Sequence, residues 1–454
     1  MSTATHKDTI FALASGKGRA GVAIVRLSGR HAGAALSALT GNDLPAPRVA
    51  TTADLKCPKT GALIDKALVL WFPAPKSFTG EDVAELHIHG SHAVLGKLFE
   101  VLSGIEGLRL AQAGEFTRRA FEHGKLDLTE AEGLHDLVFA ETEAQRTQAL
   151  YQLEGGLGAL YDNWRDTLTE CLAHLEATID FSDEEIPDGL LEGVRKDTVA
   201  LEAEIKKCLK DDGRGQAIRK GYRIALLGPT NVGKSSLLNA LAKEERAIVS
   251  DIAGTTRDVI EVHLDIAGYP VVVADTAGLR DVANEIEREG VRRARGQAEE
   301  AHLKLVLVDQ ATWPDIPEES RPFLGPDSLV VITKADLAKG KALSGGGKGA
   351  PKAYAISVKT GEGLKALLEA IEAKTLETLQ SSDPAPITRA RHAEALREGL
   401  EALHRFNGQD LAQTDPALLA EDLRLAARAL GRVTGRVGVE DILGKIFSQF
   451  CIGK

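Results

Sequence analysis

Residues 228–235 read Gly-Pro-Thr-Asn-Val-Gly-Lys-Ser, a complete G-x-x-x-x-G-K-S. The stretch stands between an apolar run at 224–227 and a helix-compatible run at 236–241, the strand, loop and helix order that cradles a phosphate. Its glycines let backbone N–H groups turn inward around phosphate oxygens, and the helix N-terminus adds partial positive charge. Lys234 is placed to lie along the β- and γ-phosphates and Ser235 to bring a hydroxyl to Mg2+, with Asn231, Val232, Gly233 and Ser236 lining the same anion. A glycine-rich turn without a ligand is the alternative, and the full motif in this context argues against it.

Further stretches make the nucleotide a guanine nucleotide. Asp275-Thr276-Ala277-Gly278 follows an apolar run at 271–274, so the carboxylate falls at a strand's C-terminal end facing the metal, and the Gly278 N–H can meet a γ-phosphate. Between the two motifs lies Ser250-Asp251-Ile252-Ala253-Gly254-Thr255-Thr256. Either threonine could close over Mg2+ as a switch loop, and Thr256 is read as the ligand. Thr333-Lys334-Ala335-Asp336 resembles the guanine-reading Asn-Lys-x-Asp, in which the Asp accepts two hydrogen bonds from the base. Thr333 stands where Asn is usual, so Asp336 is read as the guanine contact and weaker affinity is expected. Ser357-Val358-Lys359 resembles the Ser-Ala-Lys loop that flanks the base. These ordered motifs identify a small GTPase domain.

A water-orienting residue is missing from its usual place. Ras-like switches carry Gln directly after Asp-Thr-Ala-Gly, where this chain has Leu279. Hydrolysis therefore needs other assistance. Asn231 together with residues 250–256 resembles GTPases that recruit K+ in place of an arginine finger, with Ser250, Ile252 and Thr255 as the expected companions of Asn231 around the ion. Glu287, downstream of the second switch, is the candidate for orienting the water. Taken alone it reads as a solvated helix residue, and only the family resemblance below reverses that.

These motifs must be held by a chain of 454 residues, too long for one core, so roughly two to four domains are expected. A 43% hydrophobic and 27% charged composition is ordinary for soluble globular proteins. No apolar run nears the length of a membrane span and no signal-peptide pattern is seen, so a cytoplasmic protein without membrane contact is expected. Cys57, Cys171, Cys208 and Cys451 form no Cys-x-x-Cys, which argues for a reducing compartment and against structural zinc or a disulfide framework. A net charge of −11 disfavours gripping nucleic acid over a broad face; RNA contact should be local or shared with a more basic partner.

Along the chain, residues 1–122 mix β-type runs at 21–28, 67–72 and 83–89 with helical spacing at 92–103, an α+β domain. His87 and His89 lie two apart with His92 nearby, a spacing that could ligate metal. Without a carboxylate or cysteine cluster, a polar pocket or solvated strand face is the better reading. Residues 123–215 are helical, including a long stretch at 142–179, an acidic break at 181–187 and a linker at 211–215. Residues 216–379 form the nucleotide domain, with a low-complexity loop at 340–351, and 380–454 return to helices. The expected architecture is multidomain: an α+β N-terminal domain, an all-α helical domain split in sequence, and an inserted α/β P-loop GTPase domain, whose insertion needs close termini.

The whole chain resembles the tRNA uridine-modification GTPase family MnmE, also called TrmE. The resemblance rests on Gly18-Arg-Ala-Gly-Val-Ala-Ile-Val-Arg-Leu-Ser-Gly29, Trp71-Phe-Pro-Ala-Pro75 and Ser77-Phe-Thr-Gly-Glu-Asp82. It rests also on Gly114-Glu-Phe-Thr-Arg-Arg-Ala-Phe121, Lys125-Leu-Asp-Leu128, Asp180-Phe-Ser-Asp-Glu-Glu-Ile186, Ala253-Gly-Thr-Thr-Arg-Asp258 and Phe450-Cys-Ile-Gly-Lys454. It implies an N-terminal homodimerisation domain that binds 5-formyl-tetrahydrofolate or a related reduced folate, and a K+-dependent GTPase whose domains pair across the dimer. It also implies an FAD-dependent partner of the MnmG type, in a heterotetramer or larger complex, that helps place a 5-carboxymethylaminomethyl or aminomethyl group on the wobble uridine of certain tRNAs. By position in these motifs Arg26, Glu85, Lys125 and Lys454 become the folate contacts. Glu85 suits a pterin N–H edge, and Arg26 and Lys125 suit carboxylates or a formyl oxygen. Cys451 matches the family's near-terminal cysteine, a possible thiol participant, or a small apolar residue buried with Phe450 and Ile452.

The rival of another class is a GTP-gated assembly or ribosome-maturation switch, which shares the phosphate loop and Asn231 without needing a folate pocket. A nucleotide kinase is disfavoured by the pairing of residues 275–278 with 333–336. For direct tRNA contact the cationic candidates are Arg389 with Arg391, or Arg292, Arg293 and Arg295, with a solvated helix face as the alternative.

Overall fold

The computed structural model describes residues 8–180, 189–244, 246–248, 261–275, 296, 298–338, 352–411 and 413–453. The chain divides into two compact units, 1–135 with 152–184 and 415–454, and 136–151 with 185–414.

In the first unit, β1 (Thr9–Leu13), β2 (Ala20–Ser28), β3 (Thr51–Lys56), β4 (Leu63–Phe72), β5 (Val83–Gly90) and β6 (Leu108–Leu110) form one sheet in the order β3-β4-β5-β2-β1-β6. All pairs are antiparallel except β1 with β6. Alternation along β2 turns Ala23, Val25 and Leu27 toward the helices Ala32–Thr40 and His92–Ser103, where they join Val69, Trp71, Leu86 and Ile88 in one core. Arg26 and its cross-strand neighbour Glu85 therefore fall on the opposite face, where Ile10 and Ala12 meet Phe116 of the helix Glu115–Glu122.

A buried ionic cluster ties that helix to the sheet. Arg119 is fully buried and donates to Glu81 at 2.9 Å and to Glu115 at 3.0 Å, while Arg109 reaches Glu115 at 2.6 Å. Glu115 thus lies between two guanidiniums, which is what makes its burial tolerable.

The helices Gly156–Asp180 and Pro416–Thr434 pack along each other. Tyr161, Trp164, Leu168, Cys171 and Leu175 line one helix and Leu419, Leu423, Ala426, Leu430 and Val433 the other, each at three- or four-residue spacing. Asp415 caps the second helix by accepting from Ala417 N–H at 2.9 Å, with Pro416 in its first turn. The single helical stretch expected over 142–179 is two helices, Glu143–Leu153 and Gly156–Asp180, because the chain turns at Gly155 with φ 83°.

In the second unit, β7 (Tyr222–Leu227), β8 (Glu261–Ile266), β9 (Tyr269–Asp275), β10 (Leu303–Asp309), β11 (Ser328–Thr333) and β12 (Ala353–Ala355) are ordered β12-β11-β10-β7-β9-β8. Only β8 runs antiparallel to its neighbour. The central parallel strands β9, β10 and β11 carry near-continuous runs of Val, Ile and Leu because both faces are covered, whereas the edge strand β12 is a half-buried Ala-Tyr-Ala. Strand order reverses beside β7, so a crevice is expected beyond the C-terminal ends there.

Residues 211–215 are not the expected linker. They lead into and begin the helix Asp212–Lys220, stabilised where the Arg214 guanidinium grips Asp211 at 2.6 Å and donates to the Asp383 carbonyl at 2.9 Å. A Cβ on Gly215 would stand 2.1 Å from the Ile387 carbonyl oxygen. The segments leading into and out of the β7–β12 sheet therefore touch, which is the closeness an inserted domain requires.

Candidate functional site

β7 ends at Gly228, whose φ is 143° and where a Cβ would lie 2.6 Å from the Leu307 carbonyl oxygen. Glycine alone lets the chain leave the strand at this angle and so close to β10. The loop continues through Asn231, in the left-handed region at φ 62°, to the helix Lys234–Leu241. Lys234 is 6% exposed and its ammonium donates to the Gly228 and Pro229 carbonyls at 2.7 and 2.8 Å. Burial pulls its pKa below the usual lysine value against the opposing pull of the Asp275 and Glu319 carboxylates. A cation so enclosed gains from an anion delivered into the loop. The Ser235 hydroxyl donates to Asp275 Oδ2 at 2.7 Å, with Asp275 2% exposed at the end of β9. Those two oxygens suit a hard cation such as Mg2+.

Across the same strand ends, Thr333 closes β11, and its hydroxyl donates to the Val232 carbonyl in the phosphate loop at 2.6 Å. Lys334, at φ 59°, reaches Asp309 Oδ2 at 2.6 Å. Asp309 was not among the expected site residues, and its position at the end of β10 was the available signal. Asp336 is exposed, and its Oδ1 accepts from the Ser357 hydroxyl at 2.7 Å; Val358 and Lys359 follow in an exposed turn. The structure thus brings Lys234, Ser235 and Asp275 together, and joins Thr333 to the phosphate loop and Asp336 to Ser357. Ser236 begins the loop's helix with Lys234 and Ser235. Ser250, Asp251, Ile252, Ala253, Gly254, Thr255, Thr256, Thr276, Ala277, Gly278 and Glu287 lie outside the described residues.

The first unit holds a separate cluster. Arg26 Nε and Nη2 both contact Glu85 Oε1 at 2.9 Å, and the guanidinium lies 5.3 Å from the Phe78 ring centroid and 5.9 Å from that of Phe116. His87 Nε2 stands 3.5 Å from Glu85 Oε2, while His89 pairs with Asp65 at 2.8 Å. The two histidines thus serve different carboxylates, and among the described residues no group of three His, Cys, Asp or Glu side chains is arranged to hold a metal. Phe78 and Phe116 sit inside motifs quoted above, but nothing in the sequence marked them as ring walls around Arg26. Lys125 is exposed, with its side chain running past Gly80 in the loop that carries Phe78. A guanidinium, a carboxylate and two aromatic rings form a setting for a flat polar heterocycle.

The tail docks on this unit. Cys451 O accepts from Gly114 N–H at 3.5 Å and Ile452 bridges to Ala113. Phe450 is buried beside Leu128, Ala131 and Phe447, whereas Cys451 and Ile452 are exposed. The alternative of Cys451 as a buried apolar residue is overturned, because Cys451 and its neighbour Ile452 are both exposed and only Phe450 enters the apolar cluster. Lys454 lies outside the described residues.

Arg389 also departs from the sequence reading. Its guanidinium pairs with Asp136 at 2.8 Å and is 12% exposed, beside Arg219 on the same carboxylate at 3.0 Å, so it is neither an open RNA contact nor part of a solvated face. Arg292, Arg293 and Arg295 lie outside the described residues.

Comparison with known proteins gives two family matches. The pattern described as "GTP-binding protein TrmE N-terminus" matches residues 9–125, and that of the "MnmE helical domain" matches residues 128–451. A "tRNA modification GTPase MnmE" of Parvibaculum lavamentivorans is 53% identical over 449 residues, covering 98% of this chain and 100% of that protein. A protein of the same name from Paramagnetospirillum magneticum is 52% identical over 452 residues, with 98% and 100% covered. The mitochondrial "5-taurinomethyluridine-[tRNA] synthase subunit GTPB3" of Danio rerio is 46% identical over 475 residues, with 98% and 93% covered.

Proposed function

The chain belongs to the MnmE (TrmE) family of tRNA modification GTPases, and from that premise we propose that it couples a K+-stimulated GTPase cycle to modification of the wobble uridine at C5. It is a GTP hydrolase, and its fold combines an N-terminal α+β domain, helical elements and a P-loop GTPase sheet. The observation that carries the mechanistic reading is the enclosed Lys234 ammonium beside the Ser235–Asp275 pair, at the C-terminal ends of parallel strands.

In this reading Lys234 and the loop N–H groups hold the β- and γ-phosphates, Ser235 and Thr256 hold Mg2+, and Asp336 reads guanine. Asn231 with Ser250, Ile252 and Thr255 holds K+, which when bound offsets the negative charge developing on the phosphates. Glu287 orients the water in place of the missing Gln. Arg26, Glu85, Lys125 and Lys454 hold the reduced folate, an assignment supported by the guanidinium and carboxylate set between two rings and by the tail docked on the same unit. The proposal includes a homodimer, the FAD-dependent partner, a carboxymethylaminomethyl or aminomethyl product on certain tRNAs, a cytoplasmic site of action, and domains at 1–122, 123–215, 216–379 and 380–454. Among the described residues no helix is long and apolar enough to cross a membrane.

Hydrolysis by the full chain is expected to be faster in K+ than in Na+, and Asn231→Ala is expected to abolish that difference. Equal rates in both salts would remove the K+ assignment. Mass spectrometry of wobble-uridine nucleosides from cells lacking the protein tests the product: unchanged nucleosides would overturn the modification role.

A further inference from the structure

We propose that Thr333 is a latch tying the phosphate loop to the base-side loop, and that guanine's N7 and O6 edge consequently receives no hydrogen bond from this side chain. The proposal rests on the reading of residues 333–336 as the base-reading motif. Thr333 is 4% exposed, and its hydroxyl sits 2.6 Å from the Val232 carbonyl and 3.4 Å from that of Val308. A hydroxyl carries one proton. The shorter, buried contact takes it. The remaining faces of the side chain are also turned to the phosphate loop: a Cβ on Gly233 would have Thr333 Cβ and Cγ2 as its nearest neighbours, at 3.8 and 3.9 Å. Thr333 therefore supports Val232 and Gly233, immediately before Lys234, and positions the cation without touching substrate.

Guanine offers donors on the N1 and N2 side and only acceptors, N7 and O6, on the other. Asp336 answers the donor side, with Oδ1 steadied by Ser357 at 2.7 Å. An Asn at position 333 would add an amide donor, whereas a threonine with its proton committed to Val232 adds none. Lys334 is likewise engaged, its ammonium held by Asp309 at 2.6 Å. Base selection then rests on the Asp336 side chain, while Thr333 sets the height of the phosphate loop.

The test is equilibrium binding of GTP, GDP and 7-deaza-GTP to the full chain, together with thermal melting. On the unaltered chain 7-deaza-GTP is expected within about threefold of GTP, because N7 receives no hydrogen bond from Thr333 in this proposal. Thr333→Val keeps the shape and removes the proton, and is expected to weaken GTP and GDP alike by about tenfold, with Thr333→Ser restoring both. Thr333→Asn is expected to create a preference for GTP over 7-deaza-GTP. More than a tenfold loss for 7-deaza-GTP on the unaltered chain overturns the base-edge claim, and unaltered binding in a folded Thr333→Val overturns the latch. Asp336→Asn should shift preference toward xanthosine triphosphate, whose O2 accepts where guanine's N2 donates. If it does not, the base-reading assignment itself fails and the proposal falls with it.

Discussion

Gly215 and Gly213 share the helix Asp212–Lys220, yet alanine should act on them with opposite signs. A Cβ on Gly213 meets nothing within 4 Å, so Gly213→Ala changes only helix propensity. It should stabilise by a few tenths up to about 1 kcal/mol, the lower end being favoured in a first turn. At Gly215 the same methyl would sit 2.1 Å from the Ile387 carbonyl oxygen and 2.8 Å from Ala385 Cβ. Relief needs a backbone carbonyl to retreat by about 0.9 Å to reach the closest contact real Cβ atoms show, and Ile387 is fully buried. Overpacking of this kind costs about 1–3 kcal/mol, from which the same propensity gain is subtracted, leaving about 1–2 kcal/mol of destabilisation. For a unit of this size that corresponds to a fall of about 2–4 °C in melting temperature. The two variants should be compared by thermal melting followed by circular dichroism, with amide exchange at residues 385–388 as the local readout. If Gly215→Ala melts at or above both the unaltered chain and Gly213→Ala, the incoming and outgoing segments are not packed as described.

Two other perturbations probe the first unit. Gly453→Ala places a Cβ 2.0 Å from the Leu13 carbonyl oxygen at a φ of 103°, so strain of about 1–2 kcal/mol adds to the clash. Amide exchange at residues 451–453 should accelerate about tenfold or more, and unchanged exchange would mean the tail is not docked at Ala113. Glu115 is raised by burial but pulled down further by Arg109, the Gln112 N–H and Arg119, reaching a pKa of about 2 against an ordinary 4.5. A depressed carboxyl contributes its stability above pH 4.5 and loses it as pH falls toward 2, with a ceiling of about 3 kcal/mol. Glu115→Gln should therefore be destabilising at pH 7 and close to neutral near pH 2; an equal deficit at both would refute the ion-pair account.

How far the chain could be read without its structure depended on whether the relevant physics was local. The strands around 224–227 and 271–274 declared themselves because a parallel sheet covered on both faces demands continuous apolar runs, and the structure has β7 and β9 there. The helix His92–Ser103 matched its spacing because its cap, Ser91, is adjacent in sequence and accepts from Val94 N–H at 3.2 Å. Residues 211–215 misled for the converse reason. Asp, Gly and Arg in a row carry the composition of a linker, and what makes them part of a helix and its cap is an Arg214 contact to Asp383 and the Gly215 approach to Ile387, both far away along the chain. Arg119 was equally silent: a cation on a short helix reads as solvated until Glu81 arrives from a separate loop to meet it. Periodicity shows that a helix has an apolar stripe but not which neighbour covers it. Helical stretches over 142–179 and across 380–454 could therefore be expected, while the mutual packing of the helices at 156–180 and 416–434, and the placing of Ala390–Gly408 against Leu190–Lys210 in the other unit, could not. The same limit governs the candidate site. A phosphate loop is a contiguous motif whose backbone does the work, whereas a ring wall such as Phe116 or a loop support such as Thr333 acquires its role only from what folding sets against it.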